Sequence, residues 1–435
     1  MNVPIEIQLL TNSGKQPAAS SSITITEAVN VGAESTTEKQ QAQHINGVWT
    51  NPVTINKNNF RFKSLSTWSL NIAVGCNHGC RYCYVPDTST NKQASKLREF
   101  GITDPDAEWG EYVLLRPWDG GRFNKSLHEA ETTGLDELNP DGNRAVMLCT
   151  MTDPYQVLKG RNAEETAKLN RDRLRLVRNS LRRIRDYSTL NVRILTRSPL
   201  ATQDFDLFKT FGDRLVFGMS LPTLDNDLAR IYEPNAPAPS QRLKTLQKAK
   251  EAGLHVYVAI APTYPECTEA DIRTTLRAVK SLSAVTIFHE PINIRADNVA
   301  RIQAHTRSIG RALNTEVFAT PEAWRKYALS QLCLVQKIAE EEEVADRLHL
   351  WPDKSLKSKA GFQKMVMRGE AATTGRKLSA IERNAMNNQL NTDFAAVDSW
   401  IDSWHERISE WPGKQPSQWV RQQLPEFMTQ LLKAA

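Results

Sequence analysis

Past residue 48 the chain alternates short apolar runs with longer stretches of helical period. The runs are Leu70–Val74, Ala145–Met151, Asn191–Thr196, Leu215–Leu221, His255–Ala261 and Val285–His289. Each is aliphatic or β-branched and bounded by polar or Gly/Pro residues, which predicts six strands. Between the second and third lies Ala163–Asp186, whose Leu169, Leu176, Val177, Leu181 and Ile184 share a helix face. Between the fourth and fifth lies Gln241–Gly253, a helix stopped by its C-terminal glycine. Strand–helix–strand alternation predicts an α/β fold with a parallel sheet. Six such strands suit an open or partial barrel; a doubly wound sheet fits the periodicity nearly as well. The first crossover, residues 84–144, is long, and its polar stretch Glu129–Arg144 reads as a surface excursion.

The flanks read differently. Residues 1–45 are rich in Ser, Thr, Gln and Glu without a sustained apolar period, which predicts a disordered segment, with Met1–Leu10 as a candidate edge strand. Past residue 320 the period is helical without strand signals. Pro321–Asp346 reads as one helix, and Trp351, Trp400, Trp404, Trp411 and Trp419 follow. The expected division is a disordered segment over 1–45, an α/β core over 46–320 and a helical C-terminal extension over 321–435. The 435 residues are 40% hydrophobic and 24% charged, which excludes collagen-like, wholly disordered and coiled-coil chains. No run reaches the roughly 18 apolar residues of a membrane span. The N-terminus lacks a basic start followed by an apolar core, so no secretory signal is read and a cytoplasmic location is expected. Six cysteines are too few for a disulfide scaffold and point to reduced thiols or a metal site.

Three of the six fall within eight residues, Cys76-Asn-His-Gly-Cys80-Arg-Tyr-Cys83, directly after the first strand. Thiolates are soft ligands for iron–sulfur clusters or zinc. His78 could complete a Cys3His zinc set, giving a non-catalytic zinc-binding interaction protein. Its place between Cys76 and Cys80 suits a tetrahedral site poorly. The C-x3-C-x2-C spacing is that of the radical S-adenosylmethionine (SAM) enzymes, and Asn71–Tyr84 resembles the cluster loop of the spore photoproduct lyase-like family. The likeness continues at later strand ends: Thr152-Asp153-Pro154-Tyr155-Gln156, Leu195–Leu200, Ser220 with Glu233-Pro234 and Arg242-Leu243, and Ala261-Pro262-Thr263-Tyr264.

The resemblance implies a partial (β/α)6 TIM-type barrel with the chemistry at the strand C-termini. It implies that Cys76, Cys80 and Cys83 ligate three irons of a [4Fe–4S] cluster, with Gly75 and Gly79 letting the backbone wrap closely. SAM would chelate the fourth iron. Reductive cleavage would then give a 5′-deoxyadenosyl radical that abstracts hydrogen. Tyr82 would cover the SAM adenine. Arg197 aligns with a family lysine on the SAM carboxylate, and Ser220 with a serine that touches SAM. Thr152 and Asp153, at a strand end, are further cofactor-binding candidates; Asp153 reads equally as a turn cap. Cys149 and Tyr84 match residues that return a hydrogen atom to the product radical. However, Cys149-Thr150-Met151-Thr152-Asp153 has one residue more between Cys and Asp than the family's C-T-S-D. On a strand that turns the side chain to the opposite face, which predicts a buried structural cysteine. Cys267 and Cys333 read as structural. Glu290, Asn293 and Arg295, after the sixth strand, are substrate-side candidates.

Charge adds a clue to partners. The chain carries a formal +6, but Lys159–Arg197 holds twelve Lys/Arg against four acids, mostly on helix 163–186. A concentrated basic face is the footprint of a nucleic-acid binder, or simply a solvated outer helix. The expected function is hydrogen abstraction by a radical SAM enzyme from a nucleic acid, or else from a peptide, protein or small metabolite. Its electron would come from an external donor of flavodoxin or ferredoxin type.

Overall fold

The computed structural model describes residues 44–58, 62–139, 143–295, 297–357 and 394–412. Its strands are β1 (Ile45–Val48), β2 (Ile55–Lys57), β3 (Trp68–Leu70), β4 (Ala73–Gly75), β5 (Tyr112–Leu115), β6 (Ala145–Leu148), β7 (Asn191–Thr196), β8 (Leu215–Ser220), β9 (His255–Thr263), β10 (Ile287–Pro291) and β11 (Leu348–Leu350). The larger sheet has the order β11-β10-β9-β8-β7-β6-β3-β2. Every neighbouring pair from β3 to β11 is parallel, and β2 lies antiparallel on β3. This is a partial TIM-type barrel. The crossovers run through α3 (Ala163–Tyr187), α6 (Pro239–Glu251), α7 (Glu269–Ser281) and α9 (Pro321–Glu341).

Strand side chains alternate between two cores, as the pleat requires. On β7, Val192 and Ile194 join the outer core with Leu176, Val177, Leu181 and Ile184 of α3. Leu195 faces the interior with Met147, Val216, Tyr257, Ala259 and Phe288. Gly218 is required here: a Cβ would stand 2.3 Å from the Tyr257 ring. The interior is completed by residues from outside the repeating units. Trp411 meets Tyr257 edge-on at 5.3 Å and donates Nε1 to the Ser64 carbonyl at 2.7 Å. Trp351 stacks on Phe288 at 4.3 Å and donates Nε1 to the Lys63 carbonyl at 3.1 Å. An apolar interior open along one side would stay wet, and these indoles close it.

Several elements depart from the sequence reading. The run Leu70–Val74 splits into β3 and β4, which belong to different sheets. The break falls at Asn71, whose side chain accepts from the Met151 amide at 2.9 Å and donates to Thr150 Oγ1 at 3.3 Å. The long first crossover holds β5, which forms a second sheet, β1-β5-β4. Ile45–Val48, expected at the edge of the disordered segment, is β1, parallel to β5. Residues 1–43, Met1–Leu10 included, lie outside the described residues, as does Trp419. The described part of the polar stretch 129–144 is a surface excursion only in part: Glu129, Thr132, Asp136 and Glu137 are exposed. Glu131, Asn139, Asn143 and Arg144 are buried, with Glu131 and Arg144 paired at 3.2 Å and Asn143 Nδ2 donating to the Leu65 carbonyl at 3.0 Å. Past residue 320, where no strand was expected, β11 pairs with β10. No described helix is long and apolar enough to cross a membrane.

Because Trp411 lies buried in the barrel interior, Trp411→Ala is expected to cost about 3–5 kcal/mol of stability. Denaturant unfolding of the purified chain measures this. A loss below about 1 kcal/mol would show that the indole does not seal the interior.

Candidate active site

A cavity of about 510 Å³ opens at the C-terminal ends of the parallel strands. All ten residues singled out above line it: Cys76, Cys80, Cys83, Tyr82, Tyr84, Cys149, Thr152, Asp153, Arg197 and Ser220. The substrate-side candidates Glu290, Asn293 and Arg295 line it too.

The three cysteines leave β4 on a loop with almost no regular structure, so its backbone must be held from outside. The segment Thr152–Gln156 does much of this. Thr152 Oγ1 donates to the Gly75 carbonyl at 2.6 Å, Gln156 Nε2 donates to Thr152 Oγ1 at 2.6 Å, and Gln156 Oε1 accepts from the Asn77 amide at 2.6 Å. Asp153 takes the Tyr155 amide at 2.8 Å and Thr196 Oγ1 at 2.7 Å on Oδ1. Its Oδ2 takes the Arg197 amide at 2.8 Å and lies 3.1 Å from His78 Nε2. Thr152 and Asp153 thus spend their polar atoms on the protein; they brace the cysteine loop. Burial would raise the Asp153 carboxyl, but His78, the Arg197 amide and Thr196 outweigh it and hold it below the usual carboxylate range. His78 Nε2 thus faces the Asp153 carboxylate, which sets it apart from the three cysteines. Among the described residues no three His, Cys, Asp or Glu side chains converge as one metal ion requires.

The glycines permit close wrapping. At Gly75 (φ +92) a Cβ would stand 2.2 Å from the Tyr112 carbonyl oxygen. Burial pushes the Cys80 thiol up to about 12 against the pull of Arg197, and raises Cys76 and Cys83 as well.

Arg197, just past β7, and Tyr82 of the loop itself belong to one buried network. Arg197 Nε donates to Glu233 Oε1 at 2.9 Å and Nη2 to the Tyr82 hydroxyl at 2.7 Å. Tyr82 also donates to Glu233. Arg242 pairs with the second Glu233 oxygen and donates Nη1 to the Ser220 carbonyl at 3.1 Å. Ser220 Oγ donates to the Ala261 carbonyl at 3.1 Å. Burial alone would raise Glu233; Arg242 and Arg197 outweigh it and hold it at about 2. In the sequence Glu233 and Arg242 stand out only as parts of the family-like stretch after Ser220. An acid–proline pair after a strand-end serine was the available signal, but nothing in it showed the carboxylate turned inward.

Cys149 corrects the strand argument. β6 ends at Leu148, and Cys149 adopts φ +62, a left-handed conformation unusual for a residue with a Cβ. Face alternation does not extend through such a kink, so the extra residue leaves Cys149 on the cavity wall. Tyr84 approaches from the loop, its hydroxyl donating to the neighbouring Thr150 carbonyl at 3.3 Å. Cys267 is buried and Cys333 half-buried; neither lines the cavity.

The outer wall was not anticipated. It comes from both flanks: Phe62 and Lys63, then Trp351–Lys354 and His405. Lys63 pairs with Glu290 at 3.0 Å, Arg295 pairs with Asp353, and Lys354 Nζ sits 3.8 Å from the Phe62 ring centroid. The basic helix α3 lies outside the barrel with much of its charge engaged. Lys168, Arg175, Arg178 and Arg185 each pair with an acid, and Arg173 is buried on the Pro154 carbonyl.

A barrel opening onto three loop-borne thiols, with cationic and hydroxyl groups at the next strand ends, defines the class. The Radical SAM superfamily model matches residues 70–279, so that stretch of the chain is a radical SAM domain. It is 28% identical to an uncharacterised protein of Acidianus two-tailed virus, over 54% of this chain and 71% of that protein. An uncharacterised protein of Methanocaldococcus jannaschii is 24% identical over 59% and 82%. Among solved structures, a mutant of spore photoproduct lyase covers 70% of this chain and 80% of its own at 12% identity, with a TM-score of 0.48. The methyltransferase TsrM from Kitasatospora setae, with cobalamin and a [4Fe–4S] cluster bound, covers 52% and 36% at 15% identity, TM-score 0.32.

Glu233→Gln tests the buried network. Leaving two arginines without their shared carboxylate is expected to cost about 3–5 kcal/mol. A carboxylate depressed to about 2 stabilises the fold fully above its unfolded value near 4.5, and that contribution is lost as pH falls toward 2. The stability of the wild type should therefore fall across this window more steeply than that of the variant. Parallel curves would show that Glu233 carries no linked charge.

Proposed function

We propose that the chain holds a [4Fe–4S] cluster on Cys76, Cys80 and Cys83, binds SAM beside it, and abstracts hydrogen from a substrate entering past Glu290, Asn293 and Arg295. The observation that carries this reading is that three loop-borne thiols and the Tyr82–Arg197–Glu233 network border one cavity. The donor set fits a cluster with one open iron: three thiols at hand, His78 facing Asp153, and glycine backbone pressed against Tyr112. When reduced, the cluster supplies the electron that cleaves SAM to methionine and a 5′-deoxyadenosyl radical.

The protein's own task is to place and shield. Tyr82, fixed at its hydroxyl, offers a ring face for the adenine. Arg197 keeps Nη1 for the SAM carboxylate while Nε and Nη2 are held, so it can bind without further ordering. Ser220, anchored from both sides, lines the same wall. Thr152 and Asp153 contribute by bracing the cysteine loop. Cys149 and Tyr84 border the space where a product radical would form and can return a hydrogen atom to it.

For the substrate we propose a nucleic acid. The cations nearest the cavity mouth are Lys63, Arg295 and Lys354, beside Phe62 and Trp351, the first two each shared with an acid. Radical SAM enzymes need an external reductant, and a flavodoxin or ferredoxin suits this one. Free thiols and an oxygen-sensitive cluster fit the reducing cytoplasm.

Anaerobic reconstitution with iron and sulfide, then SAM and dithionite, should release 5′-deoxyadenosine. Cys76→Ala, Cys80→Ala or Cys83→Ala should each abolish it, whereas Cys149→Ala should leave it largely intact. A reconstituted cluster without 5′-deoxyadenosine would overturn the reading. Arg197→Ala should raise the KM for SAM at least tenfold, in line with a lost charge-assisted hydrogen bond of about 1.5–3 kcal/mol. For the substrate, oligonucleotide binding should weaken steeply with salt and fall in Lys63→Ala/Lys354→Ala but not in Arg171→Ala/Arg182→Ala. No binding at low salt would sink the nucleic-acid reading and favour a peptide or metabolite.

A further inference from the structure

The helix Asn298–Ser308 starts where the cysteine loop meets the segment that follows β10. Its first residue, Asn298, is 0% exposed. Asn298 Nδ2 donates to the Tyr82 carbonyl at 3.1 Å and to the Asn293 carbonyl at 2.9 Å. Its Oδ1 accepts from the Arg295 amide at 3.1 Å. An amide nitrogen carries two hydrogens in one plane, so a single side chain holds both carbonyls at once. One turn on, Arg301 lies on the same helix face. It donates Nη2 to the Cys83 carbonyl at 2.5 Å and Nε to the Arg81 carbonyl at 3.2 Å, and it pairs with the buried Asp106. The helix is thereby fixed to the cysteine loop, and Asn298 extends that hold to the segment after β10.

Asn293 passes the hold on to the cavity wall. Its Nδ2 donates to Glu290 Oε2 at 3.4 Å, and the same oxygen takes Lys63 Nζ at 3.0 Å. All three residues line the cavity. Asn293 Oδ1 is buried with no hydrogen-bond partner among the described residues, an acceptor that a donor on the substrate would satisfy. Two walls therefore meet at one amide. On one side stands Tyr82, which in the chain lies between Cys80 and Cys83; on the other stand Asn293, Glu290 and Arg295.

We infer that Asn298 is a positioning residue: by holding the Tyr82 and Asn293 carbonyls on one amide, it fixes the SAM side of the cavity against the substrate side and couples occupancy of one to order in the other. The inference rests on the cofactor reading above. Hydrogen abstraction requires the two reacting carbons in contact, and a misplacement of about 1 Å can cost on the order of a hundredfold in rate. For the segment Asn293–Asn298 to open, the bond to the Tyr82 carbonyl must break or the loop must move with it. A ligand that steadies Tyr82 thus steadies the substrate wall. By linkage, a substrate on that wall tightens SAM by the same factor.

The test is hydrogen–deuterium exchange, read by mass spectrometry on the cluster-loaded full chain with and without saturating SAM. In the wild type SAM should slow exchange over 76–85, and over 292–299 by about fivefold, the scale of one net hydrogen bond. Asn298→Ala should keep the protection over 76–85 and lose it over 292–299. Asn298→Ser, whose single hydroxyl hydrogen cannot serve both carbonyls, should do the same with a smaller fall in melting temperature, and it decides the matter if the alanine variant does not fold. Protection over 292–299 that persists in the variants shows that SAM reaches this wall without Asn298, and overturns the inference. So does a wild type protected over 76–85 alone; in both cases the cofactor reading stands. If SAM protects neither stretch of the wild type, or no cluster is taken up, the cofactor reading fails and the inference with it.

Discussion

The carboxylate of Asp153 joins what would otherwise be separate parts. It lies at the end of β6, takes a hydroxyl and an amide from the end of β7, and meets His78 in the cysteine loop. A loop that presents three thiols cannot also spend its backbone on strand pairing, so its shape must be imposed by partners. Thr152, Asp153 and Gln156 impose it from below, and Arg301 and Asn298 from the side. Because one buried anion serves both the loop and the Arg197 backbone, a disturbance on either side reaches the other.

The same economy appears at Glu233. One carboxylate positions Tyr82, Arg197 and Arg242, and Arg242 in turn holds the Ser220 carbonyl. The ligand-facing groups are thus ordered before any ligand arrives, which lowers the entropic cost of binding. Buried charges in this number are weak contributors to stability, and their concentration around one cavity marks where geometry matters more than stability.

Much was legible in the chain because local chemistry set it. β7 runs over Asn191–Thr196 as read, and α3 extends one residue past the run read from its apolar face. The cysteine spacing located the loop because all three thiols lie within eight residues. Other features were hidden in proportion to the distance of the partners that create them. Glu131 and Arg144 look like surface charges until each supplies the other's counterion in the interior. β1, β4 and β5 are too short to signal alone and exist because they pair. Cys149 is buried as its residue type suggests, but strand alternation does not set its direction, because it lies past the end of β6 in a left-handed conformation where the rule has no force.

The sequence by itself determined the strand–helix alternation, the position and number of the cysteines, and the class of chemistry they allow. Each is written in residue type and spacing over short stretches. Only the tertiary structure decided what closes the barrel and what surrounds the cluster loop. Trp351 and Trp411, Lys63 and Asp353, Asp106 and Arg301 lie far from their partners in the chain. Their roles depend on burial and long-range pairing, which no local pattern records.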